Sequence, residues 1–169
     1  MAAFVIGASG LLAAQNWYVF TLGNGEATVT TPCQMKQDDT RVPAKGLVGA
    51  STVHSLTCFS DVGDELYIAG WTDYDAGYTF NHDEELNASR DNTVKGIGGA
   101  VLLNSHPITF VGRRGLEFTA NVQNARLLTS RVFVVGPRPY QVAVMTPIRS
   151  NHSFNIQRFL DSLRLPPGS

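Results

Sequence analysis

The chain is poor in charge and poorer still in cysteine. Only 16% of its 169 residues are Asp, Glu, Lys or Arg, and 13 basic residues against 14 acidic ones leave a net charge of −1. A molecule this close to neutral sets up no overall field that calls for a polyanion, so nucleic acid is not expected as a partner. Nor is there an apolar run of the roughly 20 residues a membrane-spanning helix needs. The nearest approach, Ala2 to Ala14 (AAFVIGASGLLAA), is too short. The sequence contains no tandem repeat and no low-complexity linker, which excludes solenoids and multidomain arrays. One domain is expected, and at this length it buries roughly 70% of the surface its unfolded chain would expose, without needing metal to fold.

The motifs of common chemistry are missing too. The four histidines, His54, His82, His106 and His152, form no pair at helical spacing, and neither Cys-x-x-Cys nor His-Glu-x-x-His occurs. A metal site therefore has no local support. No Gly-x-Ser-x-Gly elbow is present: GASGL (7–11) lies in the apolar N-terminal stretch and GAST (49–52) lacks the closing glycine. KGIGGA (95–100) follows a predicted helix, whereas phosphate-cradling loops precede one. His82 beside Asp83 reads as a polar pair at a helix start. Cys33 with His54 is the one nucleophile and base pairing left, and oxidation of Cys33 would remove it. No catalytic residue and no cofactor is expected; a hydrolase built on His54 or His82 is the last-ranked reading.

Cys33 and Cys58 enclose a loop that oxidation would close, and compartment decides whether they are bridged or are two buried thiols. Ala2 to Ala14 bears on that choice. It has the length and small residues of an export-signal core but lacks a basic leader and an Ala-x-Ala cleavage site. Residues 1–16 are read as the remnant of an export segment, with an ordinary apolar strand or turn as the alternative.

What the sequence does have is β pattern. NWYVFTLGNGEATVTTPC (16–33) reads as a hairpin turning at Gly23-Asn24-Gly25, and QMKQDDTRVPAKG (34–46) as a polar loop. LVGASTVHSLTCFS and ELYIAGWTDY form a second hairpin with its turn over 61–64. From His82 the pattern is helical, with Asp83, Glu84 and Glu85 at the start and Gly96, Gly98 and Gly99 at the stop. AVLLNSHPITFVGRRGLEFTANV returns to strand. ARLLTSRVFVVGPRPYQVAVMTP is the strongest hairpin, its turn placed at Gly136 to Pro139 because proline cannot donate to a ladder. Phe154, Ile156, Phe159, Leu160 and Leu163 then recur at helical spacing, so a short closing helix must cover a sheet. The fold class is α+β, a mostly antiparallel sheet flanked by two helices, over residues 17–165 with a tail at 166–169.

Charge is unevenly shared between the halves. Residues 1–104 hold five Lys or Arg against twelve acids, and residues 105–169 hold eight Arg against two. Arg113 and Arg114 sit in a Gly-flanked turn, and Arg138 tips the Pro-rich hairpin with Tyr140 beside it. These four are the candidate partner-binding residues, an arginine and aromatic surface suited to an anionic or peptide partner. The plainer reading is a set of solvated turn residues that guard the sheet ends.

Four segments carry a family likeness by their order: TVTTPC (28–33), GRRGLEF (112–118), RVFVVGPRPYQVAV (131–144) and RFLDSLRL (158–165). Together they resemble the exported bacterial domains of the PsbP-like and DcrB-like fold, in which RFLDSF closes the domain; Leu163 here replaces the common Phe. The resemblance implies an antiparallel sheet flanked by helices, a periplasmic or secreted location, and a non-enzymatic accessory or binding role toward another protein or envelope component. Cytoplasmic location, and a chaperone or immunity-type protein that holds a partner polypeptide, are the alternatives. Fold alone does not choose among them.

Overall fold

In the computed structural model, residues 16–44, 49–60, 64–79, 81–149 and 153–167 are described. The apolar stretch 1–15, most of the 61–64 turn and the end of the tail lie outside them. A seven-stranded sheet has the order β3-β4-β5-β9-β8-β7-β6, antiparallel throughout. Its strands are β3 (Lys36–Val42), β4 (Ser51–Ser60), β5 (Glu65–Tyr74), β6 (Ala100–Phe110), β7 (Arg113–Val122), β8 (Arg126–Val135) and β9 (Arg138–Pro147). A separate hairpin, β1 (Tyr18–Leu22) with β2 (Ala27–Thr31), and two helices, α1 (His82–Gly96) and α2 (Ser153–Leu160), complete the fold. The class is α+β.

Alternation along the central strands gives the sheet two apolar faces. On one, Tyr67, Phe133, Tyr140, Val142 and Val144 pack beneath the β1–β2 hairpin and α2, and the Phe159 ring meets Tyr67 edge-on at 5.0 Å. On the other, Phe118, Leu128 and Val132 lie near Leu86 of α1. α1 begins where Asn81 Oδ1 accepts from the Asp83 and Glu84 amides, at 2.9 and 3.3 Å, which satisfies two of its four orphan donors. The chain after α2 is also tied down: Arg164 and Thr28 exchange backbone hydrogen bonds at 2.8 and 2.9 Å, and Leu163 is fully buried. The closing helix is therefore a lid, held through its exit as well as its apolar face.

Three expectations are corrected. Residues 36–42 form a strand, not a loop; β3 is an outer edge, exposed at every position, so no buried face imposes a period. The β8–β9 turn is two residues shorter than expected, because Arg138 and Pro139 pair with Val135 and Val134. Pro139 lies one residue beyond Trp71–Tyr140, the last β5–β9 pair, where the ladder on that side has ended and a missing donor costs no bond. Finally, Phe154 is 74% exposed, so the apolar face of α2 rests on Ile156, Phe159 and Leu160.

Candidate functional site

The four candidate binding residues lie at one end of the sheet but divide into two pairs. Arg138 and Tyr140 point inward. Arg138 Nε donates to Asp73 Oδ1 at 2.6 Å, while Nη1 donates to Glu26 Oε2 at 2.6 Å and to the Gly23 carbonyl at 3.1 Å. The Tyr140 hydroxyl, on a side chain that is almost wholly buried, donates to the same Glu26 oxygen at 3.2 Å. Burial opposes the charge of Arg138, but its bonds to Tyr140 and Asp73 outweigh that and raise its proton affinity. This pair fastens the β1–β2 hairpin to the sheet; its donors are already engaged within the chain.

The network continues to the edge strand. Asp73 Oδ2 accepts from Trp71 Nε1 at 3.2 Å and lies 3.3 Å from His54 Nε2, and His54 Nδ1 lies 2.9 Å from Asp39 Oδ1. The imidazole stacks on the Trp71 ring at 4.5 Å between centroids. Hydrogen bonds from Gln37 and His54 hold the Asp39 carboxyl below the ordinary range. Carboxylates thus alternate with nitrogen-bearing side chains across β3, β4, β5, β9 and the β1–β2 turn. Cys33 is disulfide-bonded to Cys58, with 5.9 Å between their Cα atoms, so it supplies no thiolate to His54.

Arg113 and Arg114 face differently. They follow a tight turn in which Val111 and Gly112 both have positive φ, 49° and 74°, the left-handed geometry that suits the twist of a two-residue hairpin. Arg114 is 69% exposed and forms a solvent-exposed ion pair with Asp83 of α1, Nη1 to Oδ1 at 3.3 Å. Arg113 is half-buried and donates to the Pro166 carbonyl, pinning the tail against the turn. Together with His82, Val134 and Val135 the two arginines line an open cavity of about 490 Å³. Val111 projects beside them, 78% exposed.

Sequence reasoning did not pick out a second region, beside α1. Glu85 is buried to 7% exposure; its Oε1 accepts from the Tyr74 hydroxyl at 2.7 Å and lies 3.5 Å from Ser89 Oγ. Burial pushes the Glu85 carboxyl up despite these two bonds, and burial together with Glu85 pushes the Tyr74 phenol up. In the sequence Glu85 reads only as one of three acids at a helix start. Its burial depends on Tyr74, which is eleven residues away on another element.

No protein-family model and no curated protein sequence matches the chain. Solved structures do. The solution structure of cyanobacterial PsbP (CyanoP) from Synechocystis superposes with a TM-score of 0.55 at 13% identity, over 95% of this chain and 98% of that one. The crystal structure of PA94, a Pseudomonas aeruginosa protein of unknown function, gives 0.45 at 14% identity, over 89% of this chain and 98% of that one. The first likeness shows that the fold is PsbP-like. At such identity it carries no site residues across.

Proposed function

We propose that this chain is a non-enzymatic binding module of the bacterial cell envelope, docking a partner protein through the arginine-bearing end of its sheet. The observation that carries this reading is the pairing of Arg114 and Val111. A guanidinium 69% exposed stands next to a valine 78% exposed, and the valine holds a left-handed backbone conformation that β-branched residues rarely adopt. A valine held in that conformation at an exposed tip, where it gains little packing, is an outlier from which a contact role can be inferred. The partner segment that fits is acidic, with an apolar residue to cover Val111. The Cys33–Cys58 bridge supports an oxidising compartment, as does the resemblance to exported domains.

The test places a photo-crosslinking amino acid at position 111 in cells that export the chain. A discrete adduct with an envelope protein, lost on Arg114→Glu while the melting temperature holds, supports the reading. An adduct indifferent to Arg114→Glu, or no discrete adduct at all, overturns it. Arg114 is the better target of the pair, since Arg113 also secures the tail.

A further inference from the structure

α1 covers only part of the face on which it lies. It packs over β8, β7 and β6 and touches the flank of β9, so the same face of β4 and β5 becomes the floor of an open trough beside the helix. Three cavities that share lining residues lie along it. The main one, of about 580 Å³, lies between Glu85, Ser89 and Asn92 of the helix and Ser51, Val53 and Thr72 of the sheet. A narrower extension of about 90 Å³ shares Val53, Thr72, Ser89 and Gln141 with it and runs toward Pro139. A third, of about 410 Å³, shares Glu85 and opens past Tyr78 and Glu84. The main volume alone falls in the range of roughly 300–1,000 Å³ typical of small-ligand sites.

The lining selects by chemistry. The main cavity offers hydroxyls from Ser51, Thr72 and Ser89, the amide of Asn92 and the carboxyl of Glu85, while the Gln141 amide on its wall is engaged with Thr93 and Ser130; among the described residues no Lys or Arg lines it. Among the described lining residues a phosphate or carboxylate would find no cation, and it would face Glu85. A cationic ligand would find in that cavity one carboxyl, already bonded to Tyr74 and out of water, where burial favours the proton over the charge. A neutral molecule dense in hydroxyls is suited on both counts, since an amide and a carboxyl can each take up donors and acceptors from neighbouring hydroxyl groups. Val42, Pro43, Val53 and the Tyr74 ring supply the apolar surface that the C–H face of such a molecule needs. Three cavities in a row beside one helix suit a chain of units rather than one.

We propose that the trough between α1 and strands β4 and β5 binds a neutral oligosaccharide, with Glu85 and Asn92 as hydrogen-bonding residues and Tyr74 as the apolar platform. Neither Arg113 nor Arg114 lines it, so this site and the arginine-bearing end can fail independently.

The ¹⁵N-labelled full chain is titrated with cellotetraose, maltotetraose and chitotetraose to about 10 mM, enough to reveal a site whose Kd is near 1 mM. The expected result is saturable shifts for at least one sugar, clustered at residues 51–53, 72–74 and 85–93. Asn92→Ala, at an exposed position that leaves the fold alone, should weaken that binding at least tenfold. Glu85→Gln should weaken it similarly with the remaining spectrum unchanged. No shift with any of the three sugars overturns the proposal. So do shifts that map away from the trough, binding indifferent to Asn92→Ala, or occupation of the trough only by a basic peptide offered as a control.

Discussion

Arg131 of β8 and Asp161 at the end of α2 are joined by a 2.6 Å bond from Nη1 to Oδ1, and the same guanidinium holds Glu117 of β7 through Nε at 2.6 Å. The side chain of Arg131 is 11% exposed, so one largely buried cation clamps the closing helix onto two strands of the sheet. Asp161 is the acid of RFLDSL. Its place in that motif has a physical reason: Phe159, Leu160 and Leu163 bury the helix while Asp161 fixes its rotation over the sheet.

A pH dependence follows. Burial opposes ionisation of Asp161, but the bonds from Arg131 and Gln157 win and hold its carboxyl below the ordinary range. A folded-state value below the unfolded one means that the contribution is fully present above about pH 4, where the unfolded carboxyl is ionised, and is lost as pH falls through the lower folded value. The Asp161 side chain is 46% exposed and solvent screens the pair, so Asp161→Asn should cost about 0.5 kcal/mol at pH 7, and its difference from wild type should close in acid. Urea unfolding at pH 7 and pH 3 measures both; an undiminished difference at pH 3 would refute this account.

Breaking the Cys33–Cys58 bridge should cost roughly 3–4 kcal/mol, the loop-closure entropy of its 25-residue separation. The bond ties the exit of the β1–β2 hairpin to β4, so the loss should appear first as exposure of that hairpin. Thermal unfolding with and without reductant, alongside hydrogen exchange at Val29 and Leu22, checks this. Intact mass after alkylation of the native protein adds the compartment: a bridged pair resists the reagent until reduced.

Most of the fold was legible because its central strands bury alternate residues. The hairpins around Gly23, the pairing of β4 with β5, α1 and the closing helix all carry a face, and a face leaves a period. β3 carries none. KQDDTRV looks outward on both sides and belongs to the sheet only through its pairing with β4. The site was less legible, because a side chain's role depends on who meets it. Arg138 sits at a turn by its neighbours in sequence, yet it is committed to Glu26, 112 residues earlier. Arg114 has no comparably close internal partner, and there the surface expectation carries forward into the proposal.

Gly115 closes the GRRG element and has little freedom to change. A Cβ there would come within 2.5 Å of the Phe133 ring and 2.7 Å of the Val132 carbonyl, in the middle of a ladder. Phe133 is fully buried and cannot retreat. Gly115→Ala should therefore destabilise the protein by about 1–3 kcal/mol through overpacking. Phe133→Leu in the same chain should recover part of that loss, which a double-mutant cycle in urea would show.

Val111 should behave in the opposite way. Its φ of 49° lies in the left-handed region, where a β-branched side chain crowds the following carbonyl, at a cost of about 1–2 kcal/mol. The side chain is 78% exposed and gives little packing in return. Val111→Asn, which tolerates that conformation and completes an Asn-Gly turn with Gly112, should raise stability by about 1 kcal/mol. If the valine is kept for contact with a partner, the same substitution should also weaken crosslinking from a neighbouring exposed position such as Thr109, which pairs with Arg114 across the hairpin. Higher stability with undiminished crosslinking would leave Val111 as a strained turn residue and take the apolar half away from the proposed docking surface.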